Sequence, residues 1–141
     1  MSDMQSDPDA ERVDMLLLRH ALEVSWSKET SYLGGFDPAN SALGQCYVTA
    51  RVVEHFFPET QVVKGDVWSA TTIDTHFWNV LPVGKEMIPI DFTWQQFSPG
   101  SYIRSYRRVL SDISADREVT RQRYELLKSR VVDCLTSARR D

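Results

Sequence analysis

The covalent chemistry open to this 141-residue chain rests on two cysteines, three histidines and the carboxylates near them. Cys46 and Cys134 are far apart, and no C-x-x-C pair is present, which excludes a zinc knuckle or a thioredoxin-like motif. Both thiols are expected to be free. Cys46 lies in "SALGQCYVTARVVEHFF", residues 41–57, near the start of a predicted helix. Unpaired backbone N–H groups and the positive end of the helix dipole favour an anion there. Such a setting promotes the thiolate, which is the nucleophilic form. The competing role is that of a small buried hydrophobe. Cys134 falls on the apolar stripe of the last predicted helix and reads as packing.

A reactive thiol needs a base. His55 follows Cys46 on the same helix, about 13 Å along the axis at ~1.5 Å per residue, and cannot reach it. It reads as a histidine at the helix C-terminus, interacting with the dipole. His20 lies within the first predicted helix, partly exposed. His76 sits in a strand-like run, on the face shared with Asp74, Trp78 and Val80. If "PVGK" makes a hairpin turn at Val83-Gly84, His76 stands directly opposite Asp91 on the same face. A three-residue loop would move Asp91 to the other face. Pro89 marks that strand as an edge or a bulge. Asp91 lies between Ile90 and Phe92, an apolar setting in which a carboxylate requires a partner. Asp74 is the rival partner for His76. Cys46, His76 and Asp91 thereby supply a nucleophile, a base and an orienting carboxylate. Three scattered ligands of mixed type lack a metal-binding spacing, so neither metal nor cofactor is expected.

The elements that must position these groups follow from periodicity and turn residues. Asp7-Pro8 reads as an N-cap followed by proline at the first helical position. Val13, Leu16, Leu17, Ala21 and Val24 then extend a helix from Pro8 to Val24, with residues 1–7 as a disordered tail. "SWSKETSYLGGFDPANS" is a long loop. The cysteine helix should begin between Ser41 and Gly44 and end at Phe57, before Pro58. Three strand-like runs follow: "TQVVKGDVW", "IDTHFWNVL" and "KEMIPIDFT". "FSPGSYIRSYRRVL" is ambiguous. A closing helix falls within 114–139, its body running from Arg117 to Ala138 with Tyr124, Leu127, Val131, Cys134 and Leu135 on one face. Residues 1–141 therefore read as one α+β domain, in which the cysteine helix packs on an antiparallel sheet.

Composition narrows the class. Hydrophobic content of 42% with 26% charged residues is that of a globular protein with a core. No apolar run approaches the ~20 residues of a membrane span. The acidic start "MSDMQSDPDAER" lacks a signal-peptide pattern, so the expected location is cytoplasmic and no membrane partner is expected. The net charge of −4 divides unevenly. Residues 1–100 carry six basic and fourteen acidic side chains, whereas residues 101–141 carry ten and six. The basic segment reads as a solvated helix face or a surface for an acidic partner. Nothing matches a nucleic-acid module.

The stretches "SWSKETSY", "NSALGQCYVTA", "HFWNVLPVGKEMIPIDFTWQQF" and "TRQRYELLKSRV" resemble the YunG family of small bacterial proteins. That family in turn resembles the papain-like and transglutaminase-like cysteine superfamily. The resemblance implies a small papain-like fold with Cys46 as nucleophile, His76 as base and Asp91 as orienting carboxylate. The chemistry so implied is acyl transfer from an amide or peptide bond through a thioester. Its oxyanion would meet the Cys46 backbone N–H and a donor near Gln45. Trp78, on the His76 face, walls the pocket or packs the core, and Trp26 with Ser27 would roof the cleft. Asn79 points to the opposite face and bonds to a backbone turn, while Gln96 and Phe97 close the core. The partner is then a protein, peptide or amide substrate. The alternative is a non-enzymatic interaction module that retains the fold and a polar Cys-His-Asp cluster.

Overall fold

The computed structural model describes residues 14–140, an α+β arrangement of three helices and a four-stranded antiparallel sheet. Helix α1 spans Met15–Ser25. Asp14 caps it in an extended conformation, its Oδ1 accepting from the Leu16 N–H at 2.7 Å and the Leu17 N–H at 3.4 Å. Within the described residues, the expected helical run is interrupted at Asp14, whose side chain takes the first free donors of α1. The expected start at Asp7-Pro8 and the tail 1–7 lie outside the described residues.

Helix α2 spans Cys46–Phe56, so the cysteine is its first residue. An earlier start at Ser41–Gly44 is blocked at Gly44, whose φ of +80° leaves the right-handed helical region. A Cβ there would also stand 2.3 Å from Ser31 Oγ. Strands β1 (Gln61–Trp68), β2 (Ile73–Val83), β3 (Glu86–Ile90) and β4 (Tyr102–Arg108) form the sheet in the order β3-β2-β1-β4. Helix α3 closes the chain at Glu118–Arg140, preceded by a 3-10 turn at Ile113–Ala115 that Asp112 caps. The expected start of the closing helix at residue 114 falls in that turn.

Two findings correct the strand reading. Asn79 pairs with Ile90 and Val83 with Glu86, which places the hairpin turn at Gly84-Lys85. Gly84 takes φ +60°, the positive value a two-residue hairpin loop needs at its first position, so Val83 stays in the strand. The register therefore differs by two from the one that set His76 opposite Asp91. Because side chains alternate with period two, a shift of two keeps Asp91 on the His76 face. The ambiguous segment contributes β4, an edge strand paired with β1. Pro89 pairs with Val80 in β3, the other edge, where a missing N–H leaves no inner neighbour unpaired.

The larger core lies among the helices and the face of the sheet they cover, with Leu18, Leu22, Val52, Leu127 and Val131 at its centre. Val63, Trp78 and Val80 form a smaller cluster on the opposite sheet face. Asn79 joins sheet to helix: its Nδ2 donates to the Ala50 carbonyl of α2 at 2.9 Å. No helix among the described residues is long and apolar enough to cross a membrane.

Candidate active site

Cys46 opens α2, and no side chain caps this helix start. The first intrahelical bond runs from the Thr49 N–H to the Gln45 carbonyl, so the N–H groups of Cys46, Tyr47 and Val48 precede it. All three residues line a cleft of about 810 Å³, together with Thr75 and Phe77 of β2. Cys46 itself is 7% exposed. On its inner side it shares a void of about 10 Å³ with Thr49, Trp78, Asp91 and Thr93, scarcely room for one water. The thiol thus stands between an open cleft and the closely packed start of the His-Asp segment.

His76 is fully buried. Its Nε2 lies 2.6 Å from Asp91 Oδ2. An ionised carboxylate only accepts, so Nε2–H donates and Nδ1 holds the lone pair whenever the ring is neutral. Nδ1 is buried and has no hydrogen-bond partner among the described residues. Burial disfavours the charged ring, but the bond to Asp91 outweighs it. The nearby Cys46 side chain pulls the same way, and the pKa rises to about 9. The thiol is thus close enough to act on the imidazole, yet no bond of ordinary geometry joins it to Nδ1.

The second carboxylate oxygen of Asp91 is occupied as well. Its Oδ1 accepts from the Thr93 N–H at 3.1 Å and from Thr93 Oγ1 at 3.3 Å. This Asx turn fixes the carboxylate just beyond the end of β3. Trp78 stacks on His76, with ring centres 5.4 Å apart and planes at 18°. Phe97 meets the imidazole edge-on at 4.8 Å and Trp94 lies at 6.0 Å. The structure therefore brings Cys46, His76, Asp91 and Trp78 together. Asp74 is exposed and takes a bond from Thr72 Oγ1 at 2.8 Å, so it is not the partner of His76.

Two expected pocket residues are used elsewhere. Gln45 is fully buried, its Oε1 accepting from Thr30 Oγ1 at 2.7 Å and its Nε2 donating to the Ser27 carbonyl at 2.9 Å. Its side chain ties the loop to the start of α2 instead of aiming an idle donor at the thiol. Trp26 does not roof the cleft: it is buried in the helical core, and its Nε1 donates to Thr49 Oγ1 at 2.9 Å. Ser27 receives a bond from Arg130 Nη1 at 2.7 Å. Thr93, Trp94 and Phe97 contact the His-Asp pair without having been singled out for it. The signal was the Asp-x-Thr spacing, which favours an Asx turn, followed by two aromatic residues.

The model of the family described as YunG protein matches residues 14–136, a span that includes every residue of this site. Searches of curated proteins and of solved structures returned no match.

Proposed function

The chain belongs to the YunG family, and from that premise we propose that it is a cysteine-dependent hydrolase or acyltransferase of amide bonds, with a papain-like site at Cys46. The observation that carries this reading is the state of His76. One ring nitrogen is held by Asp91 at 2.6 Å, and the other is buried without a partner near the Cys46 side chain. That is the arrangement a general base for a thiol requires.

The proton of Cys46 rests on His76 Nδ1 as a thiolate–imidazolium pair, in keeping with an imidazole raised to about 9, and the thiolate attacks the amide carbon. The charge on the carbonyl oxygen meets the N–H groups at the start of α2, where one such donor is worth ~3 kcal/mol. The C–N bond breaks, and the imidazolium gives its proton to the departing amine. Water or a second amine, deprotonated by His76, then attacks the thioester carbon. The acid or new amide leaves, and the thiol is restored.

The test is competitive alkylation near pH 6 followed by mass spectrometry. Cys46 is buried and Cys134 half-buried, so accessibility alone would favour Cys134. Faster labelling of Cys46 supports an activated thiol. Labelling no faster than Cys134 sinks it. The full burial of His76 favours a second reading, a binding module whose polar cluster is structural. That reading expects Cys46→Ser to alter stability or binding and Cys46 to show no labelling advantage.

A further inference from the structure

We propose that the substrate is an acidic peptide, held by a positively charged wall of the cleft that reaches Cys46. This rests on the reading of Cys46 as the nucleophile. Lys64 of β1, Arg107 and Arg108 of β4, and Arg117 and Arg123 at the start of α3 all line the cleft. None of these five makes an ion pair with a carboxylate of the described residues. The lining holds one carboxylate, Asp116, and its Oδ2 is already bonded to the Tyr47 hydroxyl. The chain as a whole carries −4, so the cleft inverts the local sign.

The strand register adds an independent reason for the cleft to favour an anion. Lys64 stands directly opposite Arg107 across the β1–β4 pair. Like charges in that position repel and destabilise a sheet. An anion between them would relieve the repulsion. The N-terminal end of α2 opens into the same cleft and favours negative charge there too. Each of these exposed or half-buried cations alone is worth little in water, but charges of one sign on a concave wall reinforce one another. Because the nucleophile in this cleft attacks an acyl carbon, the anion must belong to an acyl compound. Carboxylate side chains flanking an amide meet both demands, and a cleft of about 810 Å³ holds a few residues of such a peptide.

The experiment uses the full chain and chloroacetyl-capped tripeptides of Glu, Gln or Lys. The Cys46 thiolate displaces chloride from the cap, forming one S–C bond, and Cys134 serves as the internal reference. The Glu label should modify Cys46 about tenfold faster than the Gln label at low salt, with Lys slower still. That advantage should shrink severalfold in about 0.5 M NaCl, and the Glu-to-Gln ratio should fall in Arg107→Gln/Arg123→Gln. Three labels that all favour Cys46 over Cys134 but react equally overturn the acidic-substrate inference and leave the nucleophile standing. No label favouring Cys46 refutes the nucleophile itself, and the inference falls with it. Protection of Cys46 by a single-stranded oligonucleotide but not by polyglutamate also overturns it, in favour of a nucleic-acid ligand.

Discussion

Asp91→Asn removes the charge bonded to His76 while nearly preserving shape, and its effect has a defined pH signature. His76 titrates at about 9 in the fold, against an ordinary 6.5. A group whose pKa is raised by folding stabilises the protein fully below its unfolded pKa. That contribution is lost as pH climbs from 6.5 through about 9. At ~1.4 kcal/mol per pKa unit, the whole step is about 3 kcal/mol. The contact justifies a figure of that size: the ring is fully buried and the Asp91 side chain is 13% exposed, so water screens the pair little. Breaking one side of such a pair commonly costs ~3–5 kcal/mol, which agrees. The assay is urea unfolding of both proteins at pH 6, 7, 8 and 9. The native protein should weaken steadily across that range. Asp91→Asn should be weaker at pH 6 by about 3 kcal/mol, follow a flatter slope and approach the native protein at pH 9. Equal native stability at pH 6 and pH 9, or an unchanged slope in the variant, would refute the assignment of a charge-stabilised His76.

Gln45→Ala removes two bonds of a buried side chain, one from the Thr30 hydroxyl and one to the Ser27 carbonyl, and leaves that loop held at this point by the bonds between Ser27 and Thr30 alone. It should cost about 3 kcal/mol in denaturant unfolding and speed amide exchange in the 27–31 loop. Gly65→Ala places a Cβ 2.6 Å from the Ser105 carbonyl oxygen and 2.7 Å from Trp78 Cη2. Backbone cannot yield there as a side chain would, so a loss of about 3 kcal/mol or more is expected by thermal unfolding, with the Trp78–His76 stack disturbed in near-UV circular dichroism. Burial and the bond to Asp116 push Tyr47 up to about 12. Its phenolate absorbance should therefore be missing from a titration to pH 11, and Tyr47→Phe should leave that titration curve unchanged.

The cysteine helix, the first three strands and the His76–Asp91 contact were legible because each had a strong local signal. The contact survived a wrong register since parity, not the pairing partner, decides which face a strand residue takes. The turn itself was misplaced by one residue because Val83 continues β2, leaving Gly84 to open the loop. β4 was illegible for a physical reason. It is an edge strand with almost every residue exposed, so selection for burial never imposed an apolar alternation on "YIRSYRR". Trp26 was misread because the loop after α1 folds inward, where Thr49 offers its indole N–H a partner. Gln45 was misread because adjacency to a cysteine suggests chemistry, while its burial and bonding make it a strut.

Cys46 and His76 come from different layers, and the bond from Asn79 to the Ala50 carbonyl fastens those layers together. Ala50 lies one turn beyond Cys46 on the same helix, while Asn79 lies one pleat beyond Phe77 and three residues from His76. The bond therefore works as a dowel set beside the Cys46–His76 pair. Sliding of helix over sheet would separate sulfur from imidazole while both layers kept their internal ladders. In a protein built this way, loss of thiol reactivity is a gauge of interlayer shear, and on heating it should register before the secondary structure melts.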